Sequence, residues 1–277
     1  MSHVLSILQL ISAIVYLVIL RQKNMIKLRK IFRFPSWKKL EPLLRGGFAL
    51  QLRNVALNIT FLAVTRVTQS IDTTGVGAAA HALAIQVFQV GGIVLLALST
   101  VAQTIVPNDM VRRFDKTQQR WIGGPIRARS SVNRLMSWGF ILGILLGSLQ
   151  ILLLPMLQQM TPLREVRDAA RVPSYLASIY QVINGLVFIG EGVMVGTGSF
   201  MQLSLSTVVA TTGCLWALKT FPPIFGLTGV WIGFGVFNVL RLIGVAIHQF
   251  ANGPLSPRVL KRVENMAQNK QGAKPAS

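Results

Sequence analysis

The stretch PSYLASIYQVINGLVFIGEGVMVG, residues 173–196, decides how this chain is read. Its 24 residues carry one formal charge, Glu191. A helix of that length spans about 30 Å of hydrocarbon. A carboxylate at such depth must be protonated, paired, or facing a watery cavity. Intramembrane acids are functional by default, and all three states suit ion-coupled transport. The plainer alternative is a structural hydrogen bond or an ion pair with another span.

The same apolar texture extends along the chain. Hydrophobic residues make up 52% of the sequence and charged ones 13%, with a mean hydropathy of +0.54. A soluble domain would carry about a quarter charged residues. Apolar runs recur at 4–20, 46–67, 78–106, 135–154, 173–196, 203–221 and 227–250. They predict an all-α polytopic membrane helix bundle of about seven transmembrane helices.

A net charge of +20 raises the question of nucleic acid, and its distribution answers it. Nine Lys and Arg lie in 21–45, seven in 112–134 and five beyond residue 250, while the intervening loop, 155–172, has three. This is the positive-inside pattern, with the basic loops and the C-terminus cytoplasmic. A nucleic-acid protein would instead gather its cations on one face of a recognisable binding fold, so no nucleic-acid partner is expected. The bilayer is the expected partner, and each cation near anionic lipid contributes roughly 1 kcal/mol. The lone Cys214 excludes an internal disulfide or thiolate cage. Positive charge follows the first apolar run instead of preceding it, which argues against a secretory signal and for a span running outside to inside. No organelle is named by the sequence.

These features divide the chain into a span at 1–20, a basic cytoplasmic loop at 21–42, a six-span lobe at 43–250 and a basic cytoplasmic tail at 251–277. The tail is polar, contains Pro254, Pro257, Gly272 and Pro275, and is expected to fray or stay disordered. Within 21–39, Ile26, Leu28, Ile31, Phe32, Phe34 and Trp37 alternate with cations, as in a basic interfacial helix kept short by Pro35. No convincing internal repeat is visible. One span plus six reads as a lobe preceded by the last helix of another.

Candidate site residues follow from helical spacing. Asn184 and Glu191 stand two turns apart on one face and suit cation coordination or a proton-loaded acid. Burial would favour proton uptake by Glu191. Gln51, Asn54, Asn58 and Thr65 line one face of the second span, either as cleft lining or as hydrogen-bonding glue between helices. Arg53 lies off that face and either snorkels to the cytoplasmic side or pairs with Glu191. The third span offers His81, Gln86, Gln89 and Gln103, with His81 read as a structural histidine before a proton relay. Glycines at four-residue spacing (Gly139, Gly143 and Gly147; Gly192 and Gly196; Gly229 and Gly233) predict close helix packing. No hydrolase triad or phosphate-binding loop is recognisable, and Gly196-Thr-Gly198 has no following Lys-Ser/Thr. The protein is therefore not expected to be an enzyme or to hold a metal site.

Three stretches then resemble the multidrug and toxic compound extrusion (MATE) family, particularly its DinF-like branch. Gly77-Ala-Ala-Ala-His81 through Gln86, followed by Leu98-Ser-Thr-Val-Ala-Gln103, is similar to the family's Ala-Ala-His-Gln helix and its Ala-Ala-Gln end. Asn184 through Glu191 to Gly196-Thr-Gly198-Ser-Phe200 resembles its tenth helix and the turn that follows. Gly226-Leu-Thr-Gly229-Val-Trp231-Ile-Gly233 through Arg241 resembles its twelfth. The likeness covers 43–250, with 4–20 standing as the sixth helix, so the chain corresponds to the C-terminal lobe and one helix more. It departs from the pattern at Ser199, where the turn usually has an acid, and in lacking a Glu in the second span. Both departures count against a C-lobe sodium site.

The resemblance implies a proton- or cation-coupled secondary active antiporter that exports organic compounds, or xenobiotics, here represented by a partial chain. Glu191 would be the coupling group, assisted by Asn184, with Gln51, Asn54, Asn58, His81, Gln86, Gln89 and Gln181 lining the cleft. No cofactor is expected beyond the coupling ion, H+ or Na+. The implied partners are a small organic substrate and a second lobe or homodimer. Two alternatives stand beside it: a transport-inactive lone lobe, and a relative of polyisoprenoid-lipid flippases, for which Arg53 is the best-placed deep cation.

Overall fold

The computed structural model describes residues 2–23, 36–72, 74–115, 119–159, 161–262 and 265. Seven long helices are present among them: α1 (Ser2–Gln22), α2 (Trp37–Ile71), α3 (Val76–Met110), α4 (Pro125–Gln158), α5 (Arg164–Gly196), α6 (Phe200–Thr220) and α7 (Pro222–Ile247). The last six are long and apolar enough to cross a membrane. The described apolar part of α1, Ile7–Gln22, is shorter. Each of the seven apolar runs thus became a helix. Several helices outrun the apolar segment, however, because the flanking Arg and Lys residues are good helix formers and need no burial.

The chain divides into two compact units, Met1–Arg45 and Gly46–Ser277. In the first, α1 exposes Ile7, Leu8, Tyr16 and Leu17, which point to different sides, so the helix is apolar all round. The interfacial helix expected within 21–39 falls largely on residues 24–35, outside the described residues.

The second unit is built around α5, the most buried of the candidate spans. Between membrane helices packing replaces the hydrophobic effect, so small residues set how closely they approach. Gly143 and Gly147 of α4 face the Gln181 and Ser178 carbonyls of α5; a methyl at Gly143 would stand 2.6 Å from the Gln181 oxygen. On another side of α5, Gly192 meets the Ser99 carbonyl of α3, and Gly190 meets Val245 of α7. The glycine spacing therefore does the packing work expected of it. Aromatic rings of Phe88, Tyr180, Trp231, Phe234 and Phe237 fill one half of the core. Ala102, Val106, Ala128, Val132, Ile189 and Val193 fill the other.

Helix α2 joins this unit chiefly through side chains. Thr60 meets Thr211 of α6 at 2.9 Å, and the Phe61 ring lies 5.6 Å from that of Phe234. Its link to α3 is a tight turn. There the Asp72 carboxylate accepts the Thr74 hydroxyl and amide and the Gly77 amide, bonds that hold its carboxyl below the ordinary value. Gly75, at φ +81°, allows that turn.

Two features lay beyond the sequence reading. Within the basic segment 112–134, β1 (Arg113–Asp115) pairs antiparallel with β2 (Arg120–Ile122), setting Phe114 opposite Trp121 with ring centroids 5.5 Å apart. The tail also starts ordered, which corrects the expectation of fraying from residue 251. A π-helical turn, His248–Asn252, ends α7, and Leu255 is then buried against Ala128 and Val132 before a short helix at 257–262.

Candidate functional site

The site grows from the end of α5. Glycines on both sides of Glu191 bring α3 and α7 close, so the carboxylate is buried where three helices can reach it. One carboxylate oxygen accepts from Arg53 Nη2 of α2 at 2.5 Å, and the other from Arg241 Nε of α7 at 2.8 Å. Arg241 is itself buried, lying over the rings of Phe188 and Phe237 at 5.6 and 5.1 Å. Its Nη1 reaches the Asn238 amide oxygen at 3.5 Å, and Asn238 donates back to the Phe234 carbonyl. Arg53 is held less firmly: its side chain is 23% exposed, against 6% for Arg241, and its Nε is buried without an acceptor among the described residues.

Two guanidinium groups on one carboxylate leave an excess of one positive charge. Charge-assisted bonds of this kind are short and about twice as strong as neutral ones. Removing one partner from such a buried pair typically costs 3–5 kcal/mol. Of the three states open to a buried acid, Glu191 is paired.

The other candidates separate into two groups. Asn184 lies on the same side of α5 but serves a different contact, its amide 3.5 Å from the Gln181 oxygen. Gln181, expected to line the cleft, is instead fully buried, with its Nε2 on the Phe88 carbonyl at 2.9 Å. The physical reason is that Gly91 of α3 leaves a gap which the Gln181 amide fills. Asn184 and Gln181 thus tie α5 internally and to α3.

Gln51, Asn54, Asn58 and Thr65 form the expected stripe and lie exposed along α2, with Gln86 and Gln89 exposed on α3. Between these helices, Thr65, Thr68, Gln69, His81 and Gln89 line a cleft of about 370 Å³, with Phe61 and Ile85 as apolar walls. His81 is buried beside the Trp231 ring at 5.8 Å, and its Nδ1 has no partner among the described residues. Ser199 stands at the start of α6 without a side-chain capping bond, its hydroxyl 3.2 Å from that of Thr197.

Arg241 is the residue that sequence reasoning left without a role. The available signal was cost. A cation within a membrane helix needs a partner, and Glu191 is the carboxylate inside the same set of spans.

No protein-family model matches this chain. It is 24% identical over 204 residues to Protein DETOXIFICATION 44, chloroplastic, of Arabidopsis thaliana, a match covering 73% of this chain and 37% of that protein. A MOP superfamily transporter from Pyrococcus furiosus shares its fold with a TM-score of 0.59 at 18% identity, over 76% of this chain and 44% of that one. An outward-facing multidrug resistance MATE family transporter of the MOP superfamily also gives 0.59 at 18% identity, over 79% and 49%. The chain thus spans less than half the length of these relatives. The likeness to the MATE family holds both in sequence and in the predominantly helical fold, and its partial coverage fits one lobe.

Proposed function

We propose that this chain is the C-terminal lobe, with one helix before it, of a MATE-type antiporter exporting organic compounds in exchange for protons. The observation that carries the reading is the bridge from Arg53 through Glu191 to Arg241, which joins α2, α5 and α7 at membrane depth. A proton on Glu191 removes the negative charge that both guanidinium groups share. Arg53, the more exposed of the two, is then free to turn to water, and α2 loses its charged tie to α5. Protonation biases one helix arrangement over another because it stabilises them unequally.

The substrate path in this reading runs along the exposed faces of α2 and α3, over Gln51, Asn54, Asn58 and Gln86, to the cleft at His81 and Gln89. Asn184 keeps α5 in register beneath it. The two guanidinium groups already occupy the positions that a metal cation would take, which argues against Na+ as the coupling ion. Both deep cations turn toward Glu191 instead of a cavity, which supports an antiporter over a polyisoprenoid-lipid flippase.

Alternating access needs a second lobe, supplied by the same polypeptide or by a second copy. A blot of the native membrane fraction distinguishes these by the length of the product. The native-length product and its Glu191→Gln variant are then reconstituted into proteoliposomes with a preset pH gradient, and substrate-driven proton release is followed. The variant is expected to insert normally and to lose coupling. Unchanged coupling removes Glu191 from the mechanism.

A further inference from the structure

We propose that the groove between α4 and α7 is a binding site for one anionic phospholipid of the leaflet on the basic side of the membrane. This goes beyond the transport reading and uses none of its residues. The groove encloses about 550 Å³, within the range of small-molecule sites, and its lining includes no acidic residue.

Its polar end is built around the π-helical turn that closes α7. Arg129 Nη1 donates to the Gln249 carbonyl at 2.8 Å, to its side-chain oxygen at 3.3 Å and to the Leu255 carbonyl at 3.4 Å. Because Arg129 claims the amide oxygen, the orientation of the Gln249 side chain is set. Its Nε2 is left buried without an acceptor among the described residues, on a residue only 4% exposed. Turns of this π type recur at functional positions in helices. A guanidinium beside an unused amide donor is the donor set that a phosphate ester completes.

The remainder of the groove runs inward from that end. From Arg129 to Phe140 is eleven residues of α4, a rise of about 16 Å, or half of a ~30 Å hydrocarbon core. Phe140, Leu242 and Ala246 wall this inner part, and Phe250 lies at the polar end beneath Arg129. Polar at the interface and apolar for one leaflet's depth is the profile of a lipid. A hydrophobic cation would be repelled by Arg129. The seven cations of 112–134 and the five of the tail place this end in the leaflet that carries anionic lipid.

The test is native mass spectrometry of the full chain in detergent, titrated with phosphatidylglycerol or phosphatidylcholine of matched acyl chains. The wild type is expected to hold one phosphatidylglycerol at least five-fold more tightly than phosphatidylcholine. Arg129→Gln removes the headgroup preference. Ala246→Phe, which fills the groove and leaves Arg129 in place, weakens both lipids by a similar factor, with circular dichroism confirming that each variant folds. Equal binding of the two lipids by wild type overturns the proposal, as does a preference that survives in both variants. Full displacement of phosphatidylglycerol by an equal concentration of glycerol 3-phosphate overturns the lipid assignment in favour of a soluble anion.

Discussion

At the scale of single residues, the two arginines on Glu191 are not equivalent. Arg241 is enclosed by Phe188 and Phe237, whereas Arg53 reaches the carboxylate from a partly exposed helix. Losing Arg241 leaves a buried carboxylate with one partner and an empty slot between two rings. Losing Arg53 leaves the better-enclosed pair intact. Arg241→Gln is therefore expected to cost about 3–5 kcal/mol, in the range for breaking a buried pair, and Arg53→Gln substantially less. Thermal or denaturant unfolding in detergent reads both, and equal losses would show that burial does not rank the two bonds. Arg241→Lys should not rescue, because a compact ammonium cannot stack between rings as a planar guanidinium does. This ranking was hidden in the sequence. Glu191 announced itself as a lone charge in an apolar run, but which cation faces it depends on how α2 and α7 are rotated about α5, and no local pattern encodes that.

At the scale of elements, the long helices were legible because a membrane span needs about 20 apolar residues in succession. The hairpin at 113–122 was not, since three-residue strands carry too little pattern to stand out from a charged loop. Leu255 was missed for a related reason: an apolar residue between Pro254 and Ser256 gains its meaning from the Ala128 and Val132 surface it covers. Glycine spacing was the reverse case, in which a sequence pattern transferred directly into a contact. Gly143 illustrates how much rests on it. A methyl there would stand 2.6 Å from the Gln181 carbonyl, whereas one at Gly47 meets nothing within 4 Å. Gly143→Ala is thus expected to destabilise by about 1–3 kcal/mol through overpacking. Gly47→Ala is expected to be neutral or to gain up to about 1 kcal/mol from helix propensity. Melting temperatures of the two variants in one detergent test the contrast, and similar values would mean that α4 and α5 can separate without cost.

At the scale of the whole molecule, the six spans of the second unit do not share one kind of contact. α3, α4 and α7 close on α5 through glycines and backbone, while α2 is tied by side chains at Arg53, Thr60 and Phe61. Val64 of α2 also packs into the aromatic core, but side-chain ties break and re-form more readily than glycine-mediated backbone contacts, and interfaces of that kind are where hinge and shear motions occur. If release of Arg53 from Glu191 lets α2 shift, then fixing α2 elsewhere should stop transport even with the acid intact. Thr60 and Thr211 offer the place, since their hydroxyl oxygens lie 2.9 Å apart between α2 and α6. Cysteines at both positions, in a background with Cys214→Ala and any other native cysteine replaced, should cross-link under mild oxidation or with a short dimaleimide. Substrate-driven proton release by the native-length product in proteoliposomes is expected to fall at least ten-fold on cross-linking. Reduction should restore it where the link is a disulfide. Glu191→Gln should remain inactive in either state. Undiminished transport by a fully cross-linked sample would mean that α2 and α6 move as one body, and the Arg53–Glu191 pair would then be a structural tie without a part in coupling.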